Sequence, residues 1–323
     1  MNKAISVNSL AWKLLDKLIE NAALYRVNET KAENGATIID AGIEAEGGFQ
    51  AGKLITEISM GGCGKAKIAY RKYGDFELPS ISVDTDNPII ATLGSQYAGW
   101  QIKEDGYFAI GSGPARALAL KPKKIYDEIG YKDDFDKAVV VLETEKRPPT
   151  ETLEQIARDC KVPNEDLAVI LTPTTSVAGS TQVAGRIVET GIHKLRRIGF
   201  DPNKIQHAWG VAPIPPVHPK FANAMSRTND AILYGGTTYY VLEYENEKEL
   251  VKILKEAPSE SSKDYGRPFV EIFEEAGCDF YKVDPNLFAP AVIIVNNTLT
   301  GNTYRNGNIN TKLLAESFGI KAI

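Results

Sequence analysis

The 323-residue sequence is poor in the residues that build disulfide frameworks and zinc sites. It has three histidines and three cysteines, the latter being Cys63, Cys160 and Cys278. The cysteines are widely spaced and odd in number, and no C-x-x-C, H-x-H or H-E-x-x-H spacing occurs. We therefore expect neither a disulfide framework nor a zinc site of the usual kind. Magnesium binding by carboxylates alone stays open.

Long apolar runs and strong positive charge are also absent. No apolar run reaches the roughly 20 residues that cross a bilayer. The N-terminus, MNKAISVNSLAWKLL, has no continuous signal-peptide core, because Asn8, Lys13 and Asp16 interrupt it. The net charge of −5, with a pI near 5.5, gives no electrostatic footprint for nucleic acid or an anionic membrane. We expect a cytoplasmic protein that binds neither nucleic acid nor membrane.

Strand-like and helix-like runs alternate along the chain, which predicts an α/β fold. At 323 residues with 43% hydrophobic residues, two domains are expected. The best linker signal is the segment Lys146–Thr150, because its two prolines disfavour both helix and strand. We predict an N-terminal α/β domain over 1–147 and a C-terminal one over 148–323. The boundary is approximate, and the C-terminal segment could pack back on the first domain.

A predicted helix from Ser180 to Arg197 contains the most suggestive polar pattern. Helical spacing places Gln182, Arg186, Glu189 and His193 on one narrow stripe, opposite an apolar face. Two interpretations fit. The stripe can be the solvated side of an ordinary amphipathic helix. Alternatively, it lines a cleft, where a guanidinium and a carboxylate three residues apart would form a water-activating pair.

The loop Gly111–Ala117, GSGPARA, follows a predicted strand over Tyr107–Ile110. Its glycines and Ser112 could turn backbone N–H groups toward an anion, and Arg116 could add positive charge. The loop is not a P-loop, since no Lys-Ser/Thr follows, and it does not match G-x-G-x-x-G. A tight turn that needs glycine explains the same residues. Both interpretations stay open.

Three long stretches carry a resemblance to a known family. They are GSGPARALA (Gly111–Ala119), TSVAGSTQVAGRIVETGIHKL (Thr175–Leu195) and WGVAPIPPVHP (Trp209–Pro219). Through them the chain resembles the archaeal methenyltetrahydromethanopterin cyclohydrolases over essentially its full length. The resemblance implies two α/β domains, with mixed β-sheets flanked by helices and a deep interdomain pocket. It also implies a homo-oligomer, typically a trimer.

The resemblance further implies a reaction and a set of site residues. The reaction is the reversible hydrolysis of 5,10-methenyl-tetrahydromethanopterin to its N5-formyl derivative, in the one-carbon metabolism of methanogenesis or C1 oxidation. It needs no metal or prosthetic group, since tetrahydromethanopterin is the substrate that carries the carbon. The R-I-V-E stretch matches the family's proposed catalytic residues, so Glu189 would be the general base and Arg186 its partner. Substrate contacts are predicted for Ser112, Gly113, Arg116, Gln182, Ser95 and Gln96.

Two other classes of function compete with this hypothesis. One is a non-catalytic pterin- or nucleotide-binding protein that uses the same pocket. The other is a phosphoryl-handling enzyme built around the Gly111 loop, against which the missing P-loop lysine argues. His193 lies a full turn beyond Glu189 and is expected at the surface or behind the catalytic pair. Cys63 is expected to be structural.

Overall fold

The structure is a computed structural model that describes residues 5–104, 106–279 and 282–321. The chain forms two compact units. The first comprises Met1–Lys65 and Ile89–Gln182, and the second comprises Ala66–Pro88 and Val183–Ile323. Each unit has a mixed six-stranded sheet with helices packed against it. The predicted α/β class with mixed sheets is confirmed.

The first sheet has the strand order β1-β2-β8-β7-β6-β5. Its strands are β1 (Asn28–Lys31), β2 (Thr37–Asp40), β5 (Trp100–Glu104), β6 (Tyr107–Ser112), β7 (Ala138–Glu143) and β8 (Leu167–Leu171). The central strands β2, β8 and β7 run parallel, whereas β1, β6 and β5 pair antiparallel with their neighbours. The parallel centre is buried on both faces, as is usual for parallel strands covered by helices.

Side-chain alternation in β7 shows how this sheet is covered. Val140 and Leu142 join a core on one face, and Val139 and Val141 join a core on the other. The first core includes residues of two helices of the unit, and the second includes residues of three others. The helices between residues 7 and 184 are α1 (Val7–Glu20), α2 (Ala22–Tyr25), α3 (Phe49–Ser59), α4 (Pro88–Ala91), α5 (Ala115–Ala119), α6 (Lys123–Ile129), α7 (Thr150–Cys160) and α8 (Val177–Ala184). Helices α5 and α7 pack on the first face, and α1, α3 and α8 pack on the second.

The second sheet has the strand order β12-β11-β10-β9-β4-β3. Its strands are β3 (Lys65–Tyr73), β4 (Phe76–Thr85), β9 (Ile205–Pro213), β10 (Thr237–Leu242), β11 (Val292–Asn297) and β12 (Thr303–Gly307). Strands β10 and β11 are parallel, and β4, β9 and β12 pair antiparallel with their partners. The accompanying helices are α9 (Ile187–Arg197), α10 (Phe221–Gly235), α11 (Glu247–Lys255), α12 (Phe269–Glu275) and α13 (Thr311–Phe318). Across the described ranges, no helix is long and apolar enough to cross a membrane.

Both units are discontinuous in sequence, which differs from the predicted division into 1–147 and 148–323. Strand β8 lies between β2 and β7 in the first sheet, although its residues come after the predicted boundary. Strands β3 and β4 come before that boundary, yet they extend the second sheet beside β9. The proline-rich segment Lys146–Thr150 connects β7 to α7 within the first unit.

Asp40 organises the turn that follows β2. Its side chain is fully buried, and its two carboxylate oxygens accept four backbone N–H bonds of 2.7 to 3.2 Å. The donors are Gly42, Ile43, Glu44 and Ala45. Burial raises the pKa of Asp40, but the four N–H donors outweigh burial and hold this pKa below its usual value.

We expect Asp40→Asn to destabilise the first unit by about 2–3 kcal/mol at pH 7, because an amide nitrogen cannot accept two of these bonds. A lowered folded-state pKa stabilises the protein above the unfolded-state pKa, and this stability is lost as pH falls through the folded-state value. The difference in free energy of unfolding between wild type and Asp40→Asn, measured by urea unfolding, should therefore become smaller in acid. Exposed Asp16→Asn serves as the control. A gap that does not change with pH would contradict this account.

Asp230 is the opposite case, in the second unit. This fully buried carboxylate on α10 accepts the Ser317 hydroxyl at 2.6 Å and the Phe269 N–H at 3.0 Å. Burial raises the pKa of Asp230 to about 7, although these two donors act in the other direction. The folded state therefore holds a proton that the unfolded state releases near pH 4.

A raised folded-state pKa means that the free energy of unfolding falls as pH rises from about 4 to 7. Between pH 5 and pH 8 we expect this residue to remove about 2–3 kcal/mol from wild-type stability. Asp230→Asn should remove most of that slope while keeping an oxygen for both donors. Urea unfolding of both proteins at several pH values measures the difference. If the free energy of unfolding changes with pH in the same way for both proteins, Asp230 does not titrate in this range.

Candidate active site

The predicted single helix from Ser180 to Arg197 is wrong, because two helices meet within it. Helices α8 and α9 are separated by a turn at Gly185 and Arg186. Arg186 has φ −81° and ψ 4°, and its N–H donates to the Val183 carbonyl at 3.0 Å, a bond to i−3 rather than i−4. Glycine is a poor helix former, so Gly185 favours an interruption at this point.

This break divides the predicted polar stripe. Gln182 lies in the last turn of α8 and belongs to the first unit, where it is fully buried. Arg186, Glu189 and His193 belong to the second unit and are ordered by α9. The four residues therefore do not share one helical face.

Arg186 and Glu189 are both buried, with 7% and 6% of their surface exposed. For these two residues, the interpretation as a solvated helix face is contradicted. Arg186 occupies the N-cap position of α9 and Glu189 lies in its first turn. The N-terminal end of a helix favours negative charge, and the guanidinium one turn earlier adds to that effect. The start of α9 thus places a carboxylate in a positive, water-poor setting.

Two glycines of the second sheet allow the start of α9 to lie close to the strands. A Cβ added at Gly210 of β9 would stand 3.0 Å from side-chain carbons of both Ile187 and Val188. A Cβ added at Gly236, just before β10, would stand 2.5 Å from Cδ1 of Ile187. The missing side chains make room for the helix, so α9 lies against β9 and β10 at short distance.

One further contact of this turn is not evident from the sequence. The Tyr240 hydroxyl, on β10, donates to the Val188 carbonyl at 2.9 Å, and Tyr240 is fully buried. A Cβ added at Gly191 would stand 2.1 Å from that hydroxyl oxygen. A glycine inside an otherwise regular helical pattern signals close approach by another group, and Gly191 carried that signal.

The Gly111 loop forms a tight turn at the end of β6. Gly113 has φ +91°, a conformation that favours glycine, and its N–H donates to the Ser95 carbonyl at 2.9 Å. Ser112 is buried, and its hydroxyl donates to the Val141 carbonyl at 3.3 Å. The turn accounts for the glycine at 113. Contacts of Ser112 and Gly113 with substrate stay predictions.

Arg116 lies beneath this loop with no exposed surface. Its Nε donates to the Lys121 carbonyl at 2.9 Å, and its Nη1 donates to the carbonyls of Leu93 and Ser95 at 3.2 and 3.0 Å. Two tyrosine rings flank the guanidinium, with centroids 5.1 and 5.5 Å from Cζ: Tyr97 and Tyr126. These contacts hold the loop against the segment 92–96, whereas contact of Arg116 with substrate stays a prediction.

Ser95 and Gln96 lie in a π-helical turn, Thr92–Gln96, that follows the short α4. The helix that begins at Pro88 therefore changes from α-helical to π-helical geometry after its first turn. The Ser95 hydroxyl donates to the Ser59 carbonyl at 2.7 Å, and the Gln96 amide donates to the Ser59 hydroxyl at 3.3 Å. Single π-helical turns are rare and occur often at functional sites.

The structure thus brings the predicted site residues into two groups. In the first unit, the Ser95 carbonyl joins Gly113 to Arg116, and Gln96 lies beside Ser95. In the second unit, Arg186 and Glu189 lie on the first turn of α9. Among the residues that the structure describes, no group of three or more histidine, cysteine, aspartate or glutamate side chains could hold a metal ion.

The pKa values of His193, Lys194 and Cys63 are also shifted. Burial, with Arg196 and Arg197 adding to it, lowers the pKa of His193 to about 4, so this imidazole is neutral at pH 7. Burial also lowers the pKa of Lys194 to about 8, and its Nζ binds the loop around residue 286. Burial raises the pKa of the Cys63 thiol to about 11, so it is no nucleophile at neutral pH.

Fold and site together define a class: an α/β protein of two mixed-sheet units that has a buried arginine and glutamate at the start of a helix. The family model described as Cyclohydrolase (MCH) matches residues 6–318. The chain belongs to this cyclohydrolase family.

Curated relatives cover almost the whole chain. One from Methanothermobacter marburgensis is 45% identical over 321 residues, which is 98% of this chain and all of the relative. One from Methanococcoides burtonii is 46% identical over 322 residues, 99% of this chain and all of the relative. One from Methanocaldococcus jannaschii is 45% identical over 318 residues, 98% of each chain. All three are named methenyltetrahydromethanopterin cyclohydrolase.

Replacing Arg116 with lysine separates its packing role from a role in substrate binding. Lysine cannot reproduce the planar fork, so we expect a loss of about 3 kcal/mol in the free energy of unfolding. Urea unfolding measures this, with exposed Arg158→Lys as the control. If Arg116 instead contacts a substrate anion, Arg116→Lys would raise KM while leaving stability close to wild type.

Proposed function

We propose that this chain catalyses the reversible hydrolysis of 5,10-methenyl-tetrahydromethanopterin to N5-formyl-tetrahydromethanopterin. Membership of the cyclohydrolase family and the names of the relatives support the reaction. The observation that carries the mechanism is the burial of Arg186 and Glu189 at the start of α9. The R-I-V-E stretch matches the pair that the family resemblance implies.

The substrate brings its own electrophile. Its methenyl carbon lies between two nitrogens in a delocalised cation, so the missing component is an activated water. Glu189 accepts a proton from a water molecule as the oxygen bonds to the methenyl carbon. The bond from that carbon to N10 then breaks, and Glu189 returns the proton to N10. The hydroxyl on the carbon releases its own proton to solvent and becomes the formyl oxygen.

Arg186 holds Glu189 in this role. Its positive charge lies one helical turn from the carboxylate, where it favours an accepting, unprotonated side chain. The same charge repels a cationic substrate, and a close ion pair with Glu189 offsets that repulsion. Arg186 therefore contributes to catalysis by positioning Glu189 and by favouring its negatively charged form.

The remaining features of the proposal follow from the family resemblance. The enzyme works without a metal or prosthetic group, in the cytoplasm and as a homotrimer. Its only partner in the reaction is the pterin substrate. Contacts with that substrate are proposed for Ser95, Gln96, Ser112, Gly113, Arg116 and Gln182.

Glu189→Gln tests the general base. We expect kcat to fall about 10²–10⁴-fold, because a positioned base contributes that much to proton transfer. Turnover is followed by the near-ultraviolet absorbance of methenyl-tetrahydromethanopterin. The matched control is Glu151→Gln, an exposed glutamate in the first turn of α7. Equal activity of wild type and Glu189→Gln would remove Glu189 from the mechanism.

A binding titration of the same proteins separates an enzyme from a non-catalytic pterin-binding protein. An enzyme loses rate in Glu189→Gln but keeps its affinity for substrate within a few-fold. A binding protein shows affinity without turnover even as wild type. Arg186→Ala should lose rate as well, and near-wild-type activity in that variant would contradict the pairing of Arg186 with Glu189.

A further inference from the structure

The carbonyl that precedes Glu189 carries a hydrogen bond from outside its helix. The Tyr240 hydroxyl reaches across from β10 and donates to the Val188 carbonyl at 2.9 Å. Tyr240 is fully buried. This bond therefore ties the first turn of α9 to an internal strand of the second sheet, one residue before the proposed base.

The strand that carries Tyr240 is held on both sides. Strand β10 pairs antiparallel with β9 and parallel with β11, with Tyr240 opposite Ala208 and Val295. Thr238 lies two residues earlier on the same buried face. An internal strand with both neighbours paired is among the least mobile parts of a domain. The Tyr240 hydroxyl is thus held in place by a rigid strand.

Helix α9 has a glycine, Gly191, at the point where this hydroxyl approaches it. A Cβ at Gly191 would stand 2.1 Å from the Tyr240 oxygen and 3.1 Å from Cγ of Pro290. Any other residue at 191 would push the ring or the helix away. The absence of a side chain at 191 therefore permits the bond to Val188.

The tyrosine is a permanent donor. Burial raises its pKa, a hydrogen bond from Thr238 opposes that shift, and the negative charge of Glu189 adds to it. The hydroxyl stays protonated at every working pH.

We propose that Tyr240 is a positioning residue that holds Glu189 in its productive place, by fixing the Val188 carbonyl through the opening at Gly191. The inference rests on the proposed function, since it assigns Tyr240 a role through the proposed base. Tyr240 itself touches no reacting atom. Small displacements of a catalytic group lower rates steeply, which is why such a tether matters.

The central experiment is a double-mutant cycle between Tyr240→Phe and Glu189→Gln, with kcat and KM measured for each protein. We expect Tyr240→Phe alone to lower kcat about 10- to 100-fold and to change KM less than about twofold. In the Glu189→Gln background the same change should lower kcat less than about twofold. An equal loss in both backgrounds would overturn the inference, because Tyr240 would then act independently of Glu189.

Tyr234→Phe is the matched control. Tyr234 is equally buried in the second unit, and its hydroxyl donates to the Arg267 carbonyl at 2.6 Å. We expect this variant to keep wild-type kcat within about twofold. If it loses as much rate as Tyr240→Phe, the effect reflects a lost buried hydrogen bond in general and the inference fails.

Gly191→Ala tests the opening itself. The added methyl group should lower kcat more than Tyr240→Phe does, because it breaks the bond to Val188 and also pushes the ring or the helix away. Removing that hydroxyl from the Gly191→Ala protein should then recover part of the lost rate, since the 2.1 Å clash disappears. A double variant that is no better than Gly191→Ala would contradict the proposed geometry.

Hydrogen exchange distinguishes failure of this inference from failure of the proposed function. Tyr240→Phe should speed amide exchange in residues 187–192, whereas Tyr234→Phe should not, whether or not the protein turns over the pterin. Unchanged exchange in 187–192 overturns the tether. If wild type shows no turnover but exchange responds as expected, the proposed reaction fails and the tether stands.

Discussion

The close approach of α9 to the second sheet is the constraint on which the candidate active site depends. It depends on glycines: a Cβ at Gly236 would collide with Ile187, one at Gly191 would collide with the Tyr240 hydroxyl, and one at Gly210 would stand only 3.0 Å from Ile187. Glycine in a strand or helix interior weakens that element. Here the loss of local propensity is offset by dense packing and by a hydrogen bond from an internal strand. The start of a helix, which usually frays, is thereby held from outside.

In the first unit, a buried charged side chain, Arg116, holds an irregular stretch of backbone in place. A buried guanidinium has to satisfy its donors within the protein, because leaving them unbonded away from water is costly. Arg116 donates to the carbonyl of Lys121 and to those of Leu93 and Ser95, which both lie in a π-helical turn. Those carbonyls would otherwise bond within a regular helix. The irregular turn and the buried arginine therefore explain each other, and both depend on the tight turn at Gly113.

Local signals predicted local structure well. Hydrophobic periodicity predicts a helix over Thr150–Cys160, a strand over Leu167–Leu171 and a helix over Thr311–Phe318, and the structure has the same bounds. The strand Trp100–Glu104 was missed although its alternation of buried and exposed residues is regular. Membership of a sheet could not be read in the same way. Nothing within Leu167–Leu171 specifies that it inserts between β2 and β7, and prolines near residue 148 mark a loop as readily as a linker.

The two arginines of the candidate site show where sequence reasoning ends. Arg116 and Arg186 are both buried and both lie near a glycine, so composition and spacing treat them alike. In the structure, the two arginines differ in the backbone conformation around them. Arg116 follows a glycine with positive φ and donates to carbonyls of its own unit, whereas Arg186 interrupts a helix and begins the next one. Irregular backbone held in place by its surroundings is a reason to infer function, so the interruption at Arg186 supports the role proposed for this residue.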